Sequence, residues 1–206
     1  MIQRYKKKIG IMGGTFNPIH NGHLILAESA YEQFHLDQII FLPSGNPPHK
    51  DNVSYIDATH RCNMVKLAIQ GNYHFEMSME EVDRPGITYT SETLRQMRRV
   101  EPTTEFYFIL GADSLFSFQT WHEPDKICQY CTILVATREG HDSNDVEEKI
   151  TELREKYHAD IFRIISPDFD ISSKLIRERL SAKRSVKYFI PEEVENYIKR
   201  NNLYNT

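Results

Sequence analysis

The chain has 206 residues, of which 40% are hydrophobic and 26% charged, a composition typical of one globular domain with a sizeable core. Its formal net charge of -4 argues against electrostatic docking on nucleic acid, which needs a concentrated basic face. No apolar run approaches the roughly 18 residues of a membrane span, and the short N-terminal stretch does not fit a secretory signal. We therefore expect a cytoplasmic protein that binds neither nucleic acid nor membranes.

Strand-like apolar runs alternate with segments of helical period along most of the chain. The predicted strands are KIGIM, QIIFLP, HFEMSM, EFYFIL, TILVAT and DIFRII. Asp57 is expected to cap the helix after it and Gly71 to end that helix, while Thr90 is expected to cap the next one. This alternation predicts βαβ units with right-handed crossovers. The expected fold is therefore α/β, a doubly wound, Rossmann-like and mostly parallel sheet.

The last part of the chain has a different pattern. Residues 171–206 contain two helical segments with no strand after them, and Pro191 suits the first turn of the second. We expect this subregion to form a small helical cap at the edge of the sheet. Residues 1–206 would together form a single domain.

The three cysteines, Cys62, Cys128 and Cys131, are an odd and sparse set that predicts a reducing compartment rather than a disulfide framework. Cys128 and Cys131 form a C-x-x-C pair. A zinc site would need a second such pair or histidines at ligand spacing, and the sequence has neither. Buried structural cysteines are the favoured interpretation.

The stretch GIMGGTFNPIHNGHL leads from the first predicted strand into a helix, where parallel α/β folds bind ligands. It lacks the spacing of the dinucleotide fingerprint and the Lys-Ser/Thr ending of a P-loop. A glycine turn lets backbone N–H groups approach a ligand, and the start of a helix favours phosphate. One histidine alone would suit an exposed turn, but the combination favours an anion site. The residues of that combination are Gly13, Gly14, Thr15, Phe16, His20 and His23.

Three other features have two interpretations each. Trp121, the only tryptophan, is on pattern alone more typical of a core residue than of a ring-binding one. Asp113 follows a strand and could bind ribose hydroxyls or cap a helix. The segment with Ser172, Ser173 and Arg177 could be a capped amphipathic helix or, combined with the first loop, a phosphate site.

The segment GGTFNPIHNGH resembles the signature of the HxGH nucleotidyltransferase superfamily, and most of all that of the bacterial nicotinate mononucleotide adenylyltransferases. The similarity continues in order through PSGNPPHK, GITYTSETL, FILGADSLFSFQTWHE and ISSKLIRERL, over nearly the whole chain. It implies transfer of the adenylyl group of ATP to nicotinate mononucleotide. The products would be nicotinate adenine dinucleotide and pyrophosphate, in NAD biosynthesis.

The resemblance also implies roles for individual residues. Catalytic roles on the phosphates fall to His20, His23, Lys50 and Arg177. ATP binding falls to Gly13, Gly14, Thr15, Phe16, His20, His23, Gly111, Asp113, Ser172, Ser173 and Arg177. Binding of the mononucleotide falls to Lys50, Tyr89, Thr90, Trp121 and His122. Trp121 would stack on the pyridine ring, and Thr90 would lie beside its carboxylate.

Magnesium is expected on the ATP phosphates, and no carboxylate cluster predicts a dedicated protein metal site. Three positions depart from the family pattern: Asn17, where aspartate is common; His122, where tyrosine is common; and Lys174, where threonine is usual. Asn17 is assigned no catalytic role.

Two groups of alternatives stay open. The acceptor could be nicotinamide mononucleotide or phosphopantetheine instead, since the choice between acid and amide depends on backbone geometry. A non-catalytic nucleotide-binding regulator would be expected to have lost a signature histidine or Arg177, and both histidines and the arginine are present. A tRNA-synthetase relative would need an anticodon-binding region and a basic surface. The sequence also leaves a homo-oligomer open.

Overall fold

A computed structural model of the chain describes residues 6–46, 56–136, 143–167 and 170–204. The strands are β1 (Lys8–Gly14), β2 (Gln38–Pro43), β3 (Phe75–Met77), β4 (Glu105–Gly111), β5 (Thr132–Ala136) and β6 (Ile161–Ile164). The helices are α1 (Asn21–Phe34), α2 (Ala58–Ile69), α3 (Thr90–Val100), α4 (Ala112–Ser117), α5 (Pro124–Tyr130), α6 (Ser143–Tyr157), α7 (Ser173–Ser181) and α8 (Glu192–Arg200), with a short 3-10 turn, Phe118–Thr120, after α4. In these ranges no helix combines the length and the apolar character needed to cross a bilayer.

The six strands form one parallel sheet in the order β3-β2-β1-β4-β5-β6. From β1 the chain moves outward to β3 and then returns to the other side of β1 with β4. The order of the strands therefore reverses between β1 and β4, and open α/β sheets bind ligands beyond the carboxyl ends of their strands at such a point. The predicted doubly wound fold is confirmed.

The central strand β1 is buried on both faces, as expected for a parallel sheet covered by helices. Ile9 and Ile11 belong to the core beneath α3 to α6, while Met12 belongs to the core beneath α1 and α2. A Cβ added at Gly10 would enter the core beneath α1 and α2 and would lie 2.5 Å from Ile39 Cδ1. A side chain at position 10 would therefore collide with the core side chain of Ile39.

Two of the three predicted helix boundaries are confirmed. The carboxylate of Asp57 accepts a hydrogen bond from Thr59 N at 2.7 Å at the start of α2, and Gly71, with φ of +93°, follows its end. The prediction that Thr90 caps α3 is wrong by one residue. Tyr89 has the extended backbone of the capping position, and Thr90 is the first residue of the helix.

The two C-terminal helices, α7 and α8, form the predicted small helical cap. Their apolar side chains join the core formed by α1 and α2, on one face of the sheet. The Tyr197 hydroxyl of α8 bonds with His60 Nδ1 at 2.9 Å and accepts from Asn63 Nδ2 at 3.0 Å, both on α2. The apolar stripe of this tail is thereby buried against α1 and α2.

The cysteines are free thiols that pack in the protein interior. Cys62 and Cys131 are buried, Cys128 is partly buried, and Cys131 Sγ donates to Ile127 O at 3.3 Å. Burial raises the pKa of Cys128 to about 12 and also raises the pKa of Cys131. Both side chains are therefore protonated near neutral pH, the form that is unreactive.

Candidate active site

A cavity of about 370 Å³ lies beyond the carboxyl ends of β1 and β4, where the strand order reverses. Predicted site residues from four separate parts of the chain line it. They are Gly13, Gly14, Thr15, His23, Tyr89, Thr90, Gly111, Asp113, Trp121 and His122. The fold therefore brings the β1–α1 segment together with the start of α3 and the segment after β4.

Gly13 and Gly14 do not form the predicted turn. They are the last two residues of β1 and pair with Leu42 and Pro43 of β2. Gly13 is needed there for space, because a Cβ would lie 3.0 Å from the ring of Phe108. The turn itself runs from Thr15 to the start of α1 and contains a cis peptide between Asn17 and Pro18. The absence of side chains on the strand end still opens the backbone to the cavity.

The two histidines of the signature lie at the first turn of α1. His20 is its N-cap residue, and its backbone N–H donates to His23 Nδ1 at 3.2 Å. The two rings stack with their centroids 3.6 Å apart. His20 is 1% exposed, whereas His23 reaches the cavity wall. Because His23 Nδ1 accepts a hydrogen bond, the proton of the neutral ring is on Nε2, which is the donor that the ring can offer to an anion.

Phe16 fixes the position of the His23 ring. Its side chain is buried, and its ring meets that of His23 edge-on with centroids 5.1 Å apart. The backbone of Phe16 has φ of +51°, in the left-handed region that bulky residues rarely adopt. Such strain persists only where the surrounding packing enforces it, and it is concentrated at functional turns.

The predicted phosphate residues of α7 lie outside the cavity and hold the turn from behind. Arg177 Nη1 donates to Asn17 O at 2.8 Å, and Ser173 Oγ donates to Pro18 O at 2.8 Å. Ser172 is the N-cap of α7 and accepts from Leu175 N at 3.1 Å, so the predicted capped helix is present. The phosphate-binding roles of these three residues stay predictions. Lys50 lies outside the described residues.

Part of the cavity wall is aromatic. The rings of Tyr89 and His122 are 4.2 Å apart, so His122 closes this wall in contact with Tyr89. Trp121 is half-buried and packs against Phe118 with ring centroids 5.6 Å apart, while it also lines the cavity. Both interpretations of Trp121, core contact and cavity wall, therefore apply to the same side chain.

Asp113 does not cap a helix. Gly111 is the N-cap residue of α4, and Asp113 lies in the first turn of that helix, where both residues line the cavity. A carboxylate in this place, at the end of β4, suits hydrogen bonds from ribose hydroxyls.

Sequence reasoning missed Arg61, which is 1% exposed. Arg61 Nη1 donates to Thr15 O at 2.7 Å, and Nη2 donates to Ser44 O at 2.8 Å. The available signal was its spacing: Arg61 precedes Met64 and Val65 by three and four residues and so lies on the buried face of α2. The carbonyls of Thr15 and Ser44 offset part of the cost of burying the guanidinium.

Glu81 is a second residue that was missed. Its buried carboxyl lines the cavity and accepts from Thr93 Oγ1 at 3.0 Å, and Thr93 Oγ1 in turn accepts from Arg84 Nη1 at 3.1 Å. Burial raises the pKa of Glu81 above its usual range. No periodic pattern marks this loop residue in the sequence, because its burial depends on the packing of the chain beyond β3.

The C-terminal end of the chain also reaches the signature turn. Tyr204 OH donates to Asn17 Oδ1 at 2.8 Å, and burial raises the pKa of this tyrosine. Asn17 therefore has a structural role, since its backbone and its side chain are both held by the C-terminal part of the chain.

Comparisons of the sequence with known proteins identify its family. A family model described as cytidylyltransferase-like matches residues 11–179. A protein of Lachnoclostridium phytofermentans named probable nicotinate-nucleotide adenylyltransferase is 46% identical over 198 residues, 96% of this chain and 99% of that protein. A protein of Thermoanaerobacter sp. with the same name is 42% identical over 198 residues, 96% of this chain and 94% of that protein.

Solved structures share the fold. Plasmodium falciparum nicotinic acid mononucleotide adenylyltransferase complexed with NaAD has a TM-score of 0.78 at 21% identity, over 96% of this chain and 97% of that one. The same enzyme complexed with APC has a TM-score of 0.76 at 22% identity, over 96% of this chain and 97% of that one. The family predicted from the signature is confirmed by the sequence matches. The chain belongs to the nicotinate-nucleotide adenylyltransferase family of cytidylyltransferase-like proteins.

Proposed function

We propose that the chain transfers the adenylyl group of ATP to nicotinate mononucleotide, giving nicotinate adenine dinucleotide and pyrophosphate. One observation carries the proposal: a single cavity combines a surface suited to phosphate with a surface suited to an aromatic ring. The glycine end of β1 and His23 form the surface suited to phosphate. Tyr89, Trp121 and His122 form the surface suited to an aromatic ring. A dinucleotide needs both kinds of surface in one site. Family membership supports the same reaction.

The chemistry needs no protein nucleophile. An anionic oxygen of the acceptor phosphate forms a bond to the α-phosphorus of ATP, the bond from that phosphorus to the bridging oxygen breaks, and pyrophosphate leaves with the electron pair. Catalysis then consists of positioning and of neutralising charge. The Nε2–H of His23 would donate to the phosphates in the transition state, supported by His20 behind it. Lys50 and Arg177 are proposed to anchor the polyanion.

ATP is proposed to enter as its magnesium complex. Among residues 6–46, 56–136, 143–167 and 170–204, no three His, Cys, Asp or Glu side chains form a group that could hold a metal ion. Magnesium keeps several waters and is commonly held by substrate phosphates with one or two carboxylates, and Asp113 is a carboxylate in the cavity wall. We place the reaction in the cytoplasm, where ATP and free thiols both occur.

The start of α3 supports the acid rather than the amide as acceptor. Thr90 is the first residue of this helix and lines the cavity. The first N–H groups of a helix carry partial positive charge, which favours a carboxylate over a neutral amide. A pyridine ring stacked beside Trp121 would place its substituent near this helix start.

The proposed reaction is tested by pyrophosphate release with ATP and magnesium. Nicotinate mononucleotide, nicotinamide mononucleotide and phosphopantetheine are compared as acceptors, and the mass of each product is measured. We expect release to be fastest with nicotinate mononucleotide. Faster release with phosphopantetheine would contradict the roles of Thr90 and Trp121, and ATP binding without release from any acceptor would favour a regulator.

Replacing Trp121 with alanine should weaken binding of the mononucleotide selectively. Stacking of a base on an aromatic side chain contributes about 1–3 kcal/mol, so the KM for nicotinate mononucleotide should rise by roughly 5- to 100-fold. The KM for ATP should change by less than about twofold if Trp121 touches only the acceptor. Trp121→Phe is the matched control, because it keeps a ring and the contact with Phe118. Equal increases in both KM values would assign Trp121 to the core alone.

A further inference from the structure

We propose that Arg61 is a positioning residue of the adenylyl transfer, which fixes the backbone behind the surface suited to phosphate. Its guanidinium joins Thr15 O and Ser44 O, the first carbonyls after β1 and after β2. Thr15 and Ser44 both line the cavity. Arg61 itself is 1% exposed and is not part of the cavity wall, so it acts on substrate through these two residues. The role in transfer rests on the proposed function.

The bond to Thr15 O sets the direction of a donor. In a trans peptide the C=O and the next N–H point in opposite directions, so holding Thr15 O directs the N–H of Phe16 away from the guanidinium. Among the described residues this N–H has no hydrogen-bond acceptor, although Phe16 is only 2% exposed. Buried backbone donors are almost always paired. In our proposal an anion bound beside His23 accepts from this N–H.

The second bond links this turn to the neighbouring strand. Ser44 N donates to Gly14 O at 2.9 Å, which extends the pairing of β1 and β2 by one residue, and Arg61 then holds the carbonyl of the same Ser44. The two strand ends are fixed relative to each other at the edge of the cavity. A guanidinium can do this because its donors form a planar fork, whereas an ammonium is a single point.

Arg61 is carried by a rigid element. Cys62, Met64 and Val65 beside it on α2 are buried in the core, and the helix is capped by Asp57. Functional groups held by packed helices keep their geometry better than groups on loops. A displacement of about 1 Å at reacting phosphates can cost on the order of 10²-fold in rate. The position of Arg61 is therefore relevant to turnover more than to binding.

The test compares Arg61→Lys and Arg61→Met with Arg98→Lys. Arg98 is the matched control, because its Nη1 also donates to a carbonyl, Thr104 O at 2.6 Å, but at the amino end of the sheet. The rate constant of a single turnover is measured with enzyme in excess over nicotinate mononucleotide and with saturating ATP. Because folded enzyme stays in excess and saturates the mononucleotide, a partial loss of folded protein leaves this first-order rate constant unchanged, whereas a loss of positioning lowers it. Melting temperatures are recorded for every variant.

We expect Arg61→Lys to lower the rate constant by roughly 10- to 100-fold, with KM for ATP changed by less than about threefold. Arg98→Lys should keep the rate constant within about twofold. A rate constant for Arg61→Lys within about twofold of the parent, or an equal loss in Arg98→Lys, would overturn the proposal. Should Arg61→Met not fold, the lysine variant still decides the question.

Amide hydrogen exchange separates this proposal from the proposed function. Peptides covering residues 13–20 should exchange faster in Arg61→Lys than in the parent, and should be unchanged in Arg98→Lys. If the parent protein transfers no adenylyl group, the proposed function fails, and a role for Arg61 in transfer fails with it. If the parent is active but the peptides of residues 13–20 exchange equally fast in the parent and in Arg61→Lys, the positioning role of Arg61 alone is overturned.

Discussion

Replacing His23 with asparagine should lower kcat by about 10²- to 10³-fold, the usual cost of removing one donor from a developing negative charge. An asparagine side-chain oxygen lies close to where Nδ1 of the histidine lies, so it can still accept from His20 N. The Nε2 donor is lost. The start of α1 should therefore keep its cap, and the melting temperature should stay within about 2 °C of the parent. Steady-state kinetics, ATP binding and thermal melts check this.

The complementary variant is His23→Gln. A glutamine amide reaches the region of Nε2 and can donate there, but it cannot replace the bond from His20 N. It should retain more activity than His23→Asn while losing about 1 kcal/mol of stability, the usual cost of a lost helix cap. An asparagine variant that binds ATP and keeps the kcat of the parent would contradict the phosphate role of His23.

Replacing Gly45 with alanine should destabilise the protein by about 1–3 kcal/mol, the range for overpacking a well-packed region. An added Cβ would lie 2.0 Å from Glu81 O and 2.8 Å from the carbonyl carbon of the same residue. These are backbone atoms, so the two segments must move apart. For a chain of this size, each 1 kcal/mol corresponds to about 2–4 °C in melting temperature, so the melting temperature should fall by roughly 2–12 °C.

Gly111→Ala is the matched control for this variant. Gly111 also lies at the cavity, but an added Cβ would meet no atom within 4 Å, and its φ of -80° suits any residue. Its melting temperature should change by less than about 1 °C. Equal melting temperatures for the two variants would show that the approach of Gly45 to Glu81 is not a stabilising contact.

The fold could be predicted from the sequence because its signals are local. Buried strands such as β4 and β5 read as short apolar runs, and the caps of α2 at Asp57 and Gly71 follow from side-chain chemistry. The location of the C-terminal helices could not be predicted, because their apolar stripe does not specify which of several surfaces will cover it. The bonds of Tyr197 to α2 depend on tertiary packing alone.

Residues at the cavity could be predicted where their position follows from their neighbours in the chain. His20 and His23 adjoin a helix start, and Trp121 adjoins His122, so the relevant pattern is within a few residues. Arg61 and Glu81 could not be found in this way, since their partners are 46 and 12 residues away. Gly13 and Gly14 were misread because glycines suit a turn as well as a crowded strand end.

The central claim is that this cavity selects a nicotinate nucleotide for adenylylation. The most direct measurement is one reaction with ATP, magnesium and equal concentrations of nicotinate and nicotinamide mononucleotide, in which the two dinucleotide products are distinguished by mass. Their initial ratio equals the ratio of the two kcat/KM values. We expect the acid product to exceed the amide product by at least about tenfold, which corresponds to about 1.4 kcal/mol. An excess of the amide product, or the absence of both dinucleotides, would contradict the claim.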